Sequence, residues 1–271
     1  MRNEAAYAEA MLYDYERDWV PSGLDQIERS DLLMWRRPGW PASHSRVAYA
    51  RWDESSAERG IEEVFAFFGD QPFNWHVGPS SSPSDLRERL VRRGLELVAA
   101  PRMMTAPLPL SGDWRPRNVV NIVEVHDEAT ARISLALAHH DREELEQMLP
   151  ERLAYLSMSG RRGGFLIAFI GDAPVGNAGY RYSEDGVCVY LTGAETVPEH
   201  RGVGVYKALV ANRARAAHTR GCAIASILAN TDTSAPILLR RGFVDHGPLP
   251  RYMPAGTKPV RRATLVQMRP A

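Results

Sequence analysis

The sequence predicts a mixed α/β fold, and three observations carry the prediction. Short apolar runs alternate with helical stretches through the second half of the chain. The 271 residues are 44% apolar and 24% charged, as in a globular protein that buries a core. Two helix–glycine–strand junctions, LVRRGLELV (Leu90 to Val98) and LLRRGFVDH (Leu238 to His246), share a pattern and hint at internal duplication.

In chain order, residues 3–19 read as a helix. Ser55 to Phe68 reads as a second helix, QPFNWHV as a strand, and Ser84 to Arg93 as a helix capped by Ser84 or Asp85 and stopped by Gly94. PLPLSGDWRPR, Pro107 to Arg117, carries prolines and a glycine suited to an extended connector. All six tryptophans lie at or before Trp114. The expected division is therefore residues 1–115 and 116–271.

Beyond the connector, NIVEV (Asn121 to Val125) is a strand, and helices follow over about 127–139 and 142–157. GFLIAFIGDAPVGNAGYRY supplies two strands turning at Gly171-Asp172. Glu184-Asp185-Gly186 turns into the strand VCVYLTGAETV. Val205 to Arg220 has no internal glycine or proline and stops at Gly221. AIASILA is a strand, Ser234 to Arg241 a short helix, and Gly242 its stop before a last strand. Strand, two helices, three strands, helix, strand, helix, strand is a layered α/β order.

Several functions are disfavoured. Net formal charge is zero, so no global field draws nucleic acid or anionic membrane. No apolar run is long enough to span a bilayer, and the first residues are too acidic for a secretion signal. Two cysteines, Cys188 and Cys222, make no disulfide framework and suit a reducing, cytoplasmic setting. Adjacent His139 and His140 fall on different faces of a helix, so no metal site is expected. Cys188 has no evident partner that would make it a nucleophile.

The chemistry concentrates in EHRGVGVYKALV, Glu199 to Val210. A helix starting at Gly204 offers unpaired N–H groups and a positive dipole end. Glycines let an anion approach the backbone, and Arg201 adds a charge-assisted contact. A P-loop is excluded, because Lys207 is followed by Ala208. A dinucleotide fingerprint is excluded, because Lys207 stands where its third glycine belongs.

TVPEHRGVGVYKAL after a strand, then an alanine-rich helix, a strand and APILLRRGF, resembles the GNAT superfamily of acyl-CoA-dependent N-acyltransferases over roughly residues 119–268. Arg201 and Gly204 match the family's R/Q-x-x-G-x-G/A loop. Thr196, Pro198 and Glu199 fit the element before it, with threonine at the usual valine. Tyr206 replaces a usual glycine or alanine. The first half looks like a degenerate second copy without that loop, so the resemblance implies a tandem GNAT-like fold.

The resemblance also implies a site. Gly202 and the N–H groups of Val203, Gly204, Val205 and Tyr206 would hold the pyrophosphate of coenzyme A. Backbone groups from Glu195 through Thr196 and Val197 would bond pantetheine, in a gap between this strand and AIASILA. Asn230 would either bond pantetheine or help cap the next helix with Thr233 or Ser234. Glu195 is the best-placed base, while Glu199 fits a loop role and His200 is a weaker base candidate. The family's acid, a tyrosine before G-F, is replaced by Leu238, which leaves Tyr206, Ser234 and Tyr252 as substitute hydroxyls. Arg213, Arg215 and Arg220 read as a solvated helix face.

The resulting expectation is transfer of an acetyl or other short acyl group from acetyl-CoA to a primary amine, on a small molecule or a peptide. The alternative is a non-catalytic acyl-CoA-binding protein. No metal, nucleic acid or membrane partner is expected, and a homodimer is left open.

Overall fold

A computed structural model of the chain describes residues 3–16, 19, 21, 23–138 and 142–257. Its contacts divide the chain into two compact units that interleave in sequence. The first comprises residues 1–104, 229–237 and 245–261, the second residues 105–228, 238–244 and 262–271.

In the first unit, α1 (Glu4–Ala10) starts under Asn3, whose Oδ1 accepts the Ala6 N–H at 2.8 Å. It ends nine residues sooner than the sequence reading. A turn over Met11 to Tyr13 follows, where Leu12 and Asp14 are drawn into buried positions and Tyr13 packs edge-on against Tyr49. Tertiary packing here outweighs helix propensity. Three strands absent from the sequence reading come next: β1 (Asp25–Glu28), β2 (Leu32–Arg36) and β3 (Arg46–Ala50).

Then come α2 (Ala57–Phe68), β4 (Asn74–His76), α3 (Leu86–Arg92), β5 (Leu95–Ala99) and β6 (Arg102–Pro107). Gly69 and Gly94, at φ 55° and 83°, stop α2 and α3. Asp85 is the N-cap residue of α3, but its carboxylate pairs with Arg89 instead of capping the backbone. Trp75, Phe68, Phe73, Ile61 and Leu90 form the core on the helix-bearing face of this sheet.

The second unit continues with β7 (Asn121–Glu124), α4 (Glu128–Ala138), α5 (Arg142–Ser157), β8 (Gly163–Ile170), β9 (Ala173–Tyr182) and β10 (Cys188–Thr196). After them come α6 (Val205–Thr219) and β11 (Ile224–Ala229), and then, where the chain passes between the units, α7 (Ser234–Leu239), β12 (Val244–Pro248) and β13 (Arg251–Pro254), of which β13 belongs to the first unit. The element order matches the sequence reading except for β13. His139 and His140 lie outside the described residues.

One sheet runs β1-β2-β3-β4-β13-β5 and the other β12-β6-β11-β10-β9-β8-β7. β6 thus enters one sheet beside β11, and β13 enters the other beside β4.

Side chains alternate across β8 and sort the second unit's core into two layers. Ile167, Phe165 and Phe169 pack with α4 and α5 around Leu135 and Leu149. Leu166 and Ala168 pack with Val205 and Leu209 of α6 on the opposite face.

Candidate active site

β10 and β11 are the parallel pair that creates the site. Their register covers Cys188–Tyr190 against Ile224–Ser226. β10 then continues to Thr196 bonded to β9 on its other side, where the register shifts between Thr192 and Glu195. The bulge contains Gly193 at φ 51°, just past Tyr190, where the pairing of β10 with β11 ends. The predicted gap between these strands therefore has a local cause. The Gly193-Ala194 pair inside an apolar strand was its unread signal.

The Val197 N–H is spent on the Val175 carbonyl at 2.9 Å. Backbone groups alternate in direction along a strand, so those of Thr196 and Ala194 face the gap. Arg201 Nε donates to the Thr196 carbonyl at 3.3 Å, which ties the loop back to its own strand. Of residues 195–197, Thr196 is the one whose backbone groups point away from β9.

Gly202 and Gly204 hold φ of 80° and 101°, and Gly204 is the N-cap of α6 with no side-chain cap. The first backbone bond of the helix is from the Ala208 N–H to the Gly204 carbonyl at 3.0 Å, so among the described residues the amides of Val205 and Lys207 have no partner within the helix. On the other side of the loop, the Arg117 N–H donates to the Val203 carbonyl at 3.1 Å. A trans peptide points its C=O and N–H in opposite directions, so this bond aims the Gly204 N–H away from the connector. Lys207 Nζ reaches the Arg115 carbonyl at 3.1 Å and adds a second tie. Gly176 allows the close approach of strand and helix, since a Cβ there would lie 2.6 Å from the Glu195 carbonyl and 3.0 Å from Val205.

Tyr206 does not cover this loop. Its hydroxyl is buried, and it acts electrostatically on Arg213 two turns along α6. Arg213 corrects the expectation of a solvated helix face. It is 2% exposed and donates to the carbonyls of Leu209, Gly179 and Thr192, stapling α6 to the bulged part of β9 and β10. Burial lowers its pKa to about 10, so it remains charged at neutral pH. Arg215 and Arg220 are exposed as predicted. The connector and the outer face of α6, at Ala208, Ala211, Asn212 and Arg215, enclose a groove of about 800 Å³. That groove lies along the helix body and not in the strand gap.

Glu195 pairs across the sheet with Asn177, whose Nδ2 donates to the Ser134 carbonyl of α4. The Glu195 side chain therefore projects on the α4–α5 face beside the bulge. Glu199 is exposed, and His200 is half-buried in a turn closed by its N–H on Val197. Asn230 Oδ1 accepts the N–H groups of Asp232 and Thr233, while Ser234 Oγ accepts the Asn230 N–H. Both side chains hold the turn before α7, which favours the capping reading of Asn230.

Tyr252 is displaced from its predicted role. It lies on β13, opposite Trp75 of β4 and Leu97 of β5, inside the core of the first unit. Leu238 is fully buried. Both cysteines are buried and not disulfide-bonded, and burial raises the Cys222 thiol. Among the described residues no His, Cys, Asp and Glu cluster could hold a metal, and no helix is long and apolar enough to cross a membrane.

Comparisons with known proteins bear on the family and the fold. A model of the acetyltransferase (GNAT) family matches residues 128–243. No curated protein sequence matches the chain. Among solved structures, a GCN5-related N-acetyltransferase from Kribbella flavida superposes with a TM-score of 0.68 at 19% identity, covering 94% of this chain and 97% of its own. A conserved protein of unknown function from Staphylococcus epidermidis gives 0.64 at 14% identity, covering 90% and 99%. A tandem GNAT protein of the clavulanic acid biosynthesis pathway gives 0.59 at 15% identity, covering 96% and 90%. The β10 bulge and the glycine-capped α6 thus lie within the segment, residues 128–243, that matches the GNAT acetyltransferase model, and the chain shares its fold with GNAT proteins, a tandem one included.

Proposed function

We propose that the chain is an N-acyltransferase that moves an acetyl or other short acyl group from coenzyme A to a primary amine by direct attack. One observation carries the reading: the uncapped start of α6, with amides free of helical partners, stands beside the open end of a splayed parallel strand pair. A diphosphate fits amides and a positive dipole end of this kind. The backbone of Thr196 faces the gap where pantetheine would run. Coenzyme A supplies the thioester that the amine attacks. We assign the roles to residues 116–271, with residues 1–115 as a degenerate second copy of the fold.

The acceptor must lose a proton to attack, because an alkyl ammonium near pKa 10 is charged at neutral pH. Glu195, on the α4–α5 face beside the bulge, is placed to take that proton directly or through water. The hydroxyls of Tyr206, Ser234 and Tyr252 are engaged or buried elsewhere, so sulfur departs without a side-chain acid from this set. Leu238 favours a second reading, in which the domain binds acyl-CoA without turnover.

The test is calorimetry of the full chain with acetyl-CoA, followed by release of free thiol over a panel of amines. Binding with turnover on any amine supports the proposal. Binding with none favours the second reading, and no binding overturns both.

A further inference from the structure

The face of the sheet that carries Glu195 contains polar atoms with no partner among the described residues. Asn177 is 4% exposed, and its Nδ2 bond to Ser134 leaves Oδ1 as a buried acceptor without a donor. Ser226 Oγ, on β11 opposite Tyr190, is fully buried and also unpartnered. Arg152 of α5 sits with Cζ 3.4 Å from the Phe165 ring centroid, and its buried Nη1 has no partner among the described residues. Desolvation lowers the Arg152 pKa to about 10, with no carboxylate among the causes. Buried polar groups without partners are rare, and three on one face of four adjacent strands call for an explanation. They also differ in kind: a cation lacking an anion, an acceptor lacking a donor, and a hydroxyl.

The register puts the residues beneath or bearing these groups on neighbouring strands. Phe165 pairs with Gly179, and Asn177 lies two residues farther along β9, opposite Glu195. Two residues of strand and one strand-to-strand step separate the backbones of Phe165, which lies under Arg152, and Asn177 by roughly 8 Å. A small molecule that carries both a carboxylate and an amine would suit a guanidinium over one of these residues and an amide acceptor on the other.

We propose that the acyl acceptor is a free amino acid, its carboxylate held by Arg152 and its amino group placed against Asn177 Oδ1 and Glu195. The assignment rests on the N-acyltransferase reading above. In the reaction the amine lone pair forms the bond to the acyl carbon and the C–S electron pair leaves on sulfur. The amine proton passes to Glu195 and then to solvent or to the thiolate. The product is an N-acyl amino acid, so Arg152 keeps its carboxylate partner while the amine loses its charge.

The experiment is calorimetry with the full chain, with and without coenzyme A, titrating the twenty amino acids and their carboxamides. At least one amino acid should bind roughly 10- to 100-fold more tightly than its amide, the usual size of one charge-assisted pair. Arg152→Gln should shrink that gap to a few-fold, and Arg152→Lys should restore part of it. Equal affinity of acid and amide, or coenzyme A binding with no amino acid bound, overturns the proposal. Failure of coenzyme A itself to bind overturns instead the reading on which it rests. Should Arg152→Gln not fold, the acid–amide comparison on the wild type decides alone.

Discussion

A carboxylate at residue 202 should weaken coenzyme A binding through charge alone, and the structure supplies the control. Gly202 is exposed at φ 80°, and a Cβ built there meets nothing within 4 Å. Asp and Asn have nearly the same shape and tolerate positive φ alike, so each carries a similar cost of about 1 kcal/mol. Their difference isolates the charge. With the carboxylate about 6 Å from the diphosphate and an effective dielectric constant between 40 and 20, repulsion is about 1.4–2.8 kcal/mol, or roughly 10- to 100-fold in Kd. Calorimetry of Gly202→Asp against Gly202→Asn with acetyl-CoA reads this ratio. Melting curves should be alike for the two variants, and the ratio should fall with added salt. Equal affinities at low salt would falsify the placement of the diphosphate at this loop. Gly204 is a poorer site for the same test, since any side chain there also collides with the connector.

That collision is itself measurable. A Cβ on Gly204 would sit 2.7 Å from Pro116 Cα at φ 101°, so Gly204→Ala should lower stability by about 2–4 kcal/mol in denaturant, and a wild-type midpoint would contradict the geometry. Arg213→Ala should cost roughly 3–5 kcal/mol, because three carbonyl contacts and a buried side chain are lost; a cost under about 1 kcal/mol would mean the staple is absent. Desolvation and then Glu124 push the Tyr180 phenol up to about 12. The unfolded phenol ionises near 10, so folding loses stability as pH rises from about 10 towards 12, and Tyr180→Phe should flatten that alkaline slope. Glu195→Gln should lower kcat by about 10²–10⁴-fold with little change in the KM for acetyl-CoA, as read by thiol release.

How legible these features were depends on how local their causes are. The second half could be read almost element by element, because glycines at positive φ end its helices and its apolar runs are bounded by turns. The glycine loop was legible for the same reason: residues 202–205 set its shape with their own backbone. The first half hid β1 to β3, whose sequences DQIE, LLMWR and RVAYA show no clean alternation. Arg213 was misread because a charged residue on an alanine-rich helix is usually solvated. Only the bulge opposite supplies carbonyls that make its burial tolerable. Tyr252 was misread because chain order is a poor guide when β13 enters the sheet beside β4. The Arg117–Val203 bond joins residues far apart in sequence and has no motif.

The loss of a side-chain acid need not end catalysis, and elementary proton chemistry explains why. An amine nucleophile begins with a conjugate acid near pKa 10, whereas a departing thiolate has a conjugate acid near 8.5. Once the amine proton is removed, sulfur is the better leaving group of the two, so base assistance bears on the barrier more than acid assistance does. Leu238 is fully buried, and filling its place with a tyrosine would overpack the site at about 1–3 kcal/mol. A strand end that keeps Glu195 beside a bulge, together with a helix that lets Leu238 serve the core, is consistent with turnover that depends on the base alone. On this logic Glu195→Gln should be far more damaging than any change at Tyr206, Ser234 or Tyr252, and a hydroxyl variant of equal severity would show that an acid acts after all.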